Sequence, residues 1–217
     1  MNDSVKNIRP EKFRNIVLIL LIILVLLGFS TVIENYLNAR LFNRISTSVA
    51  IFAVLAIGQT LVVLTRNIDL SVGSIVGFTA YFVGQQLTQF NEMAPVTAIL
   101  LAIGIGAVMG AINGYFVAYL KIPAIIVTLG TLALFRTILV EYSDAQTVLA
   151  IELPKWIHEL PRMNVFTYER FQLRYVVAGM LFVVITFQMI LKYTSFGRKL
   201  YAIGSNPEAA KSTGFPI

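Results

Sequence analysis

Six runs of apolar residues, at about 16–33, 45–65, 70–87, 96–120, 124–140 and 175–191, leave this chain few ways to fold. Each is long enough to cross a hydrocarbon core of about 30 Å. In lipid every backbone N–H and C=O must be satisfied internally, and continuous apolar runs of this length do so as helices. Charged residues make up only 13% of the chain, about half the share usual in a soluble domain. The expectation is an all-α polytopic membrane protein with about six transmembrane helices.

The net charge of +6 does not read as a nucleic-acid footprint, because the basic residues sit at the ends of the apolar runs rather than on one face. Residues 1–15 carry Lys6, Arg9, Lys12 and Arg14 ahead of the first run, which has no small-x-small cleavage site after it. That pattern predicts an uncleaved first span with a cytoplasmic N-terminus. Alternating from there, the cytoplasmic loops are 1–15, 66–69, 121–123 and 192–217. They add Arg66, Lys121, Lys192, Arg198, Lys199 and Lys211 against only Asp3, Glu11, Asp69 and Glu208. The outer loops hold Arg40, Arg44, Lys155, Arg162, Arg170 and Arg174 with the other seven acids. The asymmetry predicts that both termini lie inside.

Two features break the apolar pattern. The first is Arg66-Asn67-Ile68-Asp69, a polar break between the second and third runs with opposite charges at its ends. Charges next to hydrocarbon are costly, so such a break either sits at a membrane boundary in water or lines a protected cavity. The second is a ridge of small residues in the fourth run, Ala98, Ala102, Gly106, Gly110, Gly114 and Ala118, recurring every four residues. Small residues let helix backbones approach in lipid, so the ridge predicts close packing, with Gly73 and Gly77 of the third run as a possible partner surface. Lys121-Ile122-Pro123 ends the fourth helix, since Pro can neither extend it nor accept helical geometry before it.

Candidates for a solute path are Gln59, Thr60, Asp69, Ser71, Ser74, Asn113, Thr128 and Thr131. Ser and Thr in membrane helices usually bond their own backbone, whereas the amides of Gln59 and Asn113 need partners in hydrocarbon. Arg136 is the only ionisable residue well inside a run, near enough to its outer end to snorkel. No chain of buried acids or histidines suggests proton relay or sodium binding. The chain has no cysteine and a single histidine, His158, so it offers no thiolate or multi-histidine metal site and no evident catalytic pair within the spans. It also lacks a phosphate-binding Gly-rich loop ending in Lys-Ser/Thr. An energy source such as ATP would have to come from a partner. The tail carries a capped two-turn helix at 205–214: Asn206 as N-cap, Pro207 at the first helical position, Glu208 against the positive helix end and Gly214 past the C-terminus. It reads either as a contact element or as an ordinary amphipathic loop helix.

Three blocks, GQTLVVLTRNIDLSVGSIVG (58–77), GAINGYFVAYLKIPAIIVTLGTLALFRT (110–137) and FGRKLYAIGSNPEAAKSTG (196–214), resemble permeases of bacterial sugar-importing ATP-binding-cassette transporters, of the ribose, xylose, rhamnose and autoinducer-2 type. They follow the family's order over about three-quarters of the chain. Thr65-Arg66-Asn67 stands where Thr-Gly-Gly is commoner in that group. With Lys155-Trp156-Ile157 and Leu160-Pro161, this looks closest to the autoinducer-2 or rhamnose members. The resemblance implies a permease homodimer or heterodimer, two cytoplasmic ATPase subunits that hold ATP and Mg, and a periplasmic solute-binding protein, with no cofactor on this chain. It implies that Gly204, Asn206, Pro207, Glu208, Ala209, Ala210, Lys211 and Gly214 belong to a coupling helix seated on the ATPase. The segment 141–174 is then periplasmic, with a short interfacial helix between Pro154 and Pro161 anchored by Trp156. The family's members continue for further spans past the coupling helix, so this chain is expected to be truncated there. The expected function is the membrane subunit of an importer for a neutral sugar or sugar-like solute. The alternatives are a truncated, non-transporting scaffold or, against the missing buried charges, an ion-coupled carrier.

Overall fold

The computed structural model describes residues 10–168, 171–212 and 214. Asp3, Lys6, Arg9, Arg170 and Thr213 from the readings above lie outside them. The described chain is helical apart from one hairpin. Helix α1 spans Pro10–Val32, α2 Ala39–Leu64, α3 Val72–Gln89 and α4 Pro95–Gly114, which continues as a π-helical turn over Tyr115–Tyr119. Then come α5 (Ala124–Ser143), the short α6 (Lys155–Glu159), the strands β1 (Asn164–Tyr168) and β2 (Phe171–Arg174), and the helices α7 (Tyr175–Tyr193), α8 (Ser195–Ser205) and α9 (Pro207–Ser212).

Five helices, α1, α2, α4 with its π turn, α5 and α7, are long and apolar enough to cross a membrane. The third expected span forms as α3, two residues later than predicted at each end, but it is not among the five. Its sequence contains Ser74, Thr79, Gln85, Gln86 and Thr88. The packing explains the composition. α3 lies against both α4 and α5, and most of its residues are partly shielded. A helix surrounded by protein need not be apolar on all sides. By contrast the apolar window of α1 has no buried residue at all, and its exposed Leu and Ile side chains match lipid.

The helices pack in two groups. α3, α4 and α5 form one; α2 and α7, with α8 across their ends, form the other. The polar break between α2 and α3 joins them. The small-residue ridge of α4 does not pack as expected along its length: Ala98 is buried, yet a Cβ added at Gly106, Gly110 or Gly114 would meet nothing within 4 Å. Gly73 is equally open, and only Gly77 makes a contact, with Leu139 of α5 at 3.5 Å.

At the end of the bundle away from the break, Asn38 caps α2 by accepting the Leu41 N–H at 2.9 Å. The β1–β2 hairpin, absent from the sequence reading, pairs antiparallel and lies beside α2. The short helix expected between Pro154 and Pro161 forms as α6, and its Trp156 indole N–H donates to the Met93 carbonyl at 3.2 Å.

Candidate functional site

The break is built by the way α2 ends. The Arg66 N–H donates to the Val63 carbonyl at 2.9 Å and the Asn67 N–H to the Val62 carbonyl at 3.2 Å. This paired reverse closure satisfies the last carbonyls of a helix, and it puts Arg66 in the left-handed region, φ 61°. Glycine is usual at such a position, because a side chain there is strained by on the order of 1 kcal/mol. The arginine has an offsetting role. Its Nε donates to the Gly204 carbonyl and its Nη2 to the Ser205 carbonyl, each at 2.6 Å. These carbonyls end α8, where a cation also meets the negative helix end. Beside them Gly204 sits so close to the Leu64 carbonyl that a Cβ would overlap it. The ends of α2 and α8 are therefore locked face to face.

Asp69 faces the other way. Its Oδ1 accepts from the Ser71 N–H and the Ser71 hydroxyl at 2.8 and 2.7 Å, while its backbone carbonyl accepts from Gln59 Nε2 at 2.8 Å. The Ser71 oxygen in turn accepts from Asn113 Nδ2 at 2.7 Å. Since the single hydroxyl hydrogen goes to Asp69, Asn113 must present its nitrogen to Ser71, which fixes the amide orientation. Asn113 Oδ1 is then left buried with no partner. Ser71 has no exposed surface, and Asn113 and Thr128 are buried too. Thr128 bonds the Ala124 carbonyl at 2.8 Å and approaches the Ile68 carbonyl at 3.3 Å.

A cavity of about 280 Å³ lies between the two helix groups, bounded by the end of α2, the break, and the facing surfaces of α4 and α5. Asn67, Asp69, Asn113 and Thr128 supply its polar wall, and Gly110 and Gly114 leave it open along α4. Two of the six residues of the small-residue ridge thus make room for the cavity. Of the eight sequence candidates, Asp69, Asn113 and Thr128 line the cavity. Ser71 and Gln59 hold Asp69 from behind. Ser74 bonds the Ser71 carbonyl at 2.7 Å and Thr131 the Thr128 carbonyl at 3.4 Å, both within their own helices. Thr60 is exposed and bonds the Ala56 carbonyl at 2.7 Å, outside this arrangement. Sequence reasoning passed over Asn67, whose Nδ2 bonds the Thr65 carbonyl and hydroxyl, each at 3.1 Å. It also passed over the hold of Arg66 on α8.

In the tail, α9 follows α8 after a single residue. Asn206 Oδ1 accepts the Ala209 N–H at 3.1 Å, Ala210 is buried, and Gly214 takes φ 82° with its N–H on the Lys211 carbonyl at 3.0 Å. Among the described residues no group of three or more His, Cys, Asp or Glu could hold a metal ion.

The family model described as "Branched-chain amino acid transport system / permease component" matches residues 41–217. The chain belongs to that permease family. With five helices fit to cross a membrane, it is a multi-pass protein of the inner membrane. It is 38% identical over 198 residues to the autoinducer 2 import system permease protein LsrC of Yersinia enterocolitica, an alignment covering 90% of this chain and 52% of that protein. The LsrC of Photorhabdus luminescens is 39% identical over 199 residues, with 90% and 56% covered. That of Yersinia pseudotuberculosis is 37% identical over 198 residues, with 90% and 53% covered. The chain thus spans about half the length of the curated relatives it matches. No solved structure matches it.

Proposed function

We propose that this permease is the membrane subunit of an ATP-binding-cassette importer for a neutral, hydroxyl-rich solute of the autoinducer-2 type. The observation that carries the reading is the cavity between the helix groups. Its lining residues carry unspent acceptors: Asn113 Oδ1, buried within the wall, has no partner, and Asp69 spends only Oδ1 on Ser71. Acceptors in a shielded wall suit a solute that brings hydroxyl donors. A free amino acid would also bring a carboxylate, and among the described residues no Arg or Lys lines the cavity. The likeness to permeases named for autoinducer 2 import supports the same choice.

On this reading the chain enters the membrane from the cytoplasm, and the break, α8 and α9 lie inside. The Arg66 bonds to α8, which hold the break and the tail at one end of the bundle, are consistent with this. α9 is then the element seated on a partner ATPase, which holds ATP and Mg. The segment between α5 and α7 faces a periplasmic binding protein, and a second permease chain completes the path. Movement of α9 would reach the cavity wall through α8, Arg66 and the break, so that rocking of the two helix groups opens the cavity to alternate sides. The test is uptake in cells with the rest of the import system but no other route for autoinducer-2. The chain should restore ATP-dependent accumulation, and excess leucine should not compete. Accumulation that leucine blocks, or that persists without ATP, would overturn the proposal.

A further inference from the structure

A second cavity, of about 880 Å³, opens at the other end of the bundle, between the start of α2 and the strand β2. Its lining includes Arg40, Asn43 and Arg174, and no acid among the described residues. Asn43 is only 5% exposed and receives the Gln172 N–H on Oδ1 at 3.4 Å. Arg174 donates through Nη1 to the Thr47 hydroxyl at 3.1 Å, and its buried Nε has no partner. Among the described residues no carboxylate lines the pocket beside Arg40. Two arginines in one pocket, with no carboxylate among the described residues paired to either, call for an anion.

The position narrows the choice. α1 ends at Val32, α2 begins at Ala39 and α7 begins at Tyr175, so the pocket lies where three membrane-length helices leave the hydrocarbon. Its surroundings are apolar: Leu37, Phe42, Phe171 and Tyr175 are all exposed near it, as an interfacial belt would be. A soluble acidic partner would not need such a rim, whereas acyl chains would lie along it. We propose that the pocket binds the phosphodiester headgroup of an anionic phospholipid, with the acyl chains running beside α1 and α2. This site is independent of the solute path.

The 217-residue chain, purified in mild detergent, can be titrated with short-chain phosphatidylglycerol, phosphatidylcholine and inorganic phosphate and read by native mass spectrometry. Phosphatidylglycerol should be retained several-fold over phosphatidylcholine, and Arg40→Gln should weaken it about fivefold, the effect of roughly one interfacial cation. Arg40 is exposed and bonds no described residue, so Arg40→Gln should melt as the parent does. A double substitution, Arg40→Gln with Arg174→Gln, should abolish the preference. Equal retention of the two lipids, or no change in Arg40→Gln, would overturn the proposal. Competition by inorganic phosphate at equal concentration would assign a free-anion site instead. Cross-linking of Arg40→Cys to a periplasmic binding protein with lipid retention unchanged would assign a protein dock.

Discussion

Gly204→Ala is expected to unseat α8 from the end of α2 and to abolish most transport. The added methyl would overlap the Leu64 carbonyl oxygen, a backbone atom that cannot turn aside as a side-chain tip can. Relief requires that α8 lift away or that the last turn of α2 unwind. Overpacking of this kind costs about 1–3 kcal/mol. The shift also carries the Gly204 and Ser205 carbonyls away from Arg66, which would then keep its left-handed strain without the two bonds that offset it. The result should be a lower melting temperature and faster amide exchange across α8. Uptake should fall further than the amount of inserted protein. Gly179→Ala, in α7 where nothing lies within 4 Å of the added carbon, serves as the control and should behave as the parent. A Gly204→Ala protein that melts and transports like the parent would show that the two helix ends are not locked together.

The second large effect is expected at Asn113. Asn113→Leu keeps the branched shape but removes the donor to Ser71 and the unpaired acceptor buried in the cavity wall. Ser71 keeps its bond to Asp69, so the loss in stability should be no more than about 1–2 kcal/mol. The loss in uptake should exceed tenfold, because a shielded site that pairs a solute hydroxyl discriminates strongly when the partner is gone. Gln59→Leu makes the contrast. Gln59 supports the backbone of Asp69 but does not line the cavity, so it should lower the amount of folded protein more than the uptake per molecule. If both substitutions reduce uptake only in proportion to folded protein, the two amides hold the bundle together and nothing more.

The spans were legible in the sequence because the cost of exposing polar groups to hydrocarbon acts on every residue of a run. Their ends follow to within a few residues, except at the starts of α1 and α2, each six residues earlier than expected. α2 starts at Ala39 because the Asn38 cap carries it past Arg40, Asn43 and Arg44. The low hydropathy of α3 becomes intelligible only with its neighbours in place. The polar break was visible as a break, but not what it does. No pattern marks an arginine in a position that suits glycine, since the offsetting bonds are to residues 204 and 205, remote in sequence. α8 was missed because its eleven residues mix Gly, Ser, Arg and Lys, too few and too polar to stand out beside the membrane-length helices. Helical small-residue spacing predicted closeness; spacing alone cannot say whether a ridge meets a neighbouring backbone or leaves a gap. At Gly110 and Gly114 it leaves the gap that forms the cavity.

The most direct measurement uses that gap. The chain has no cysteine, so Gly110→Cys supplies a single thiol at the cavity wall, where an added Cβ meets no atom within 4 Å. In membranes carrying the assembled import system, a small water-soluble thiol reagent should modify position 110. Autoinducer-2 should slow the modification, and ATP should change the side from which the reagent reaches it. A thiol that never reacts, or that reacts at the same rate from the same side whatever solute or nucleotide is present, would contradict a solute path through this cavity.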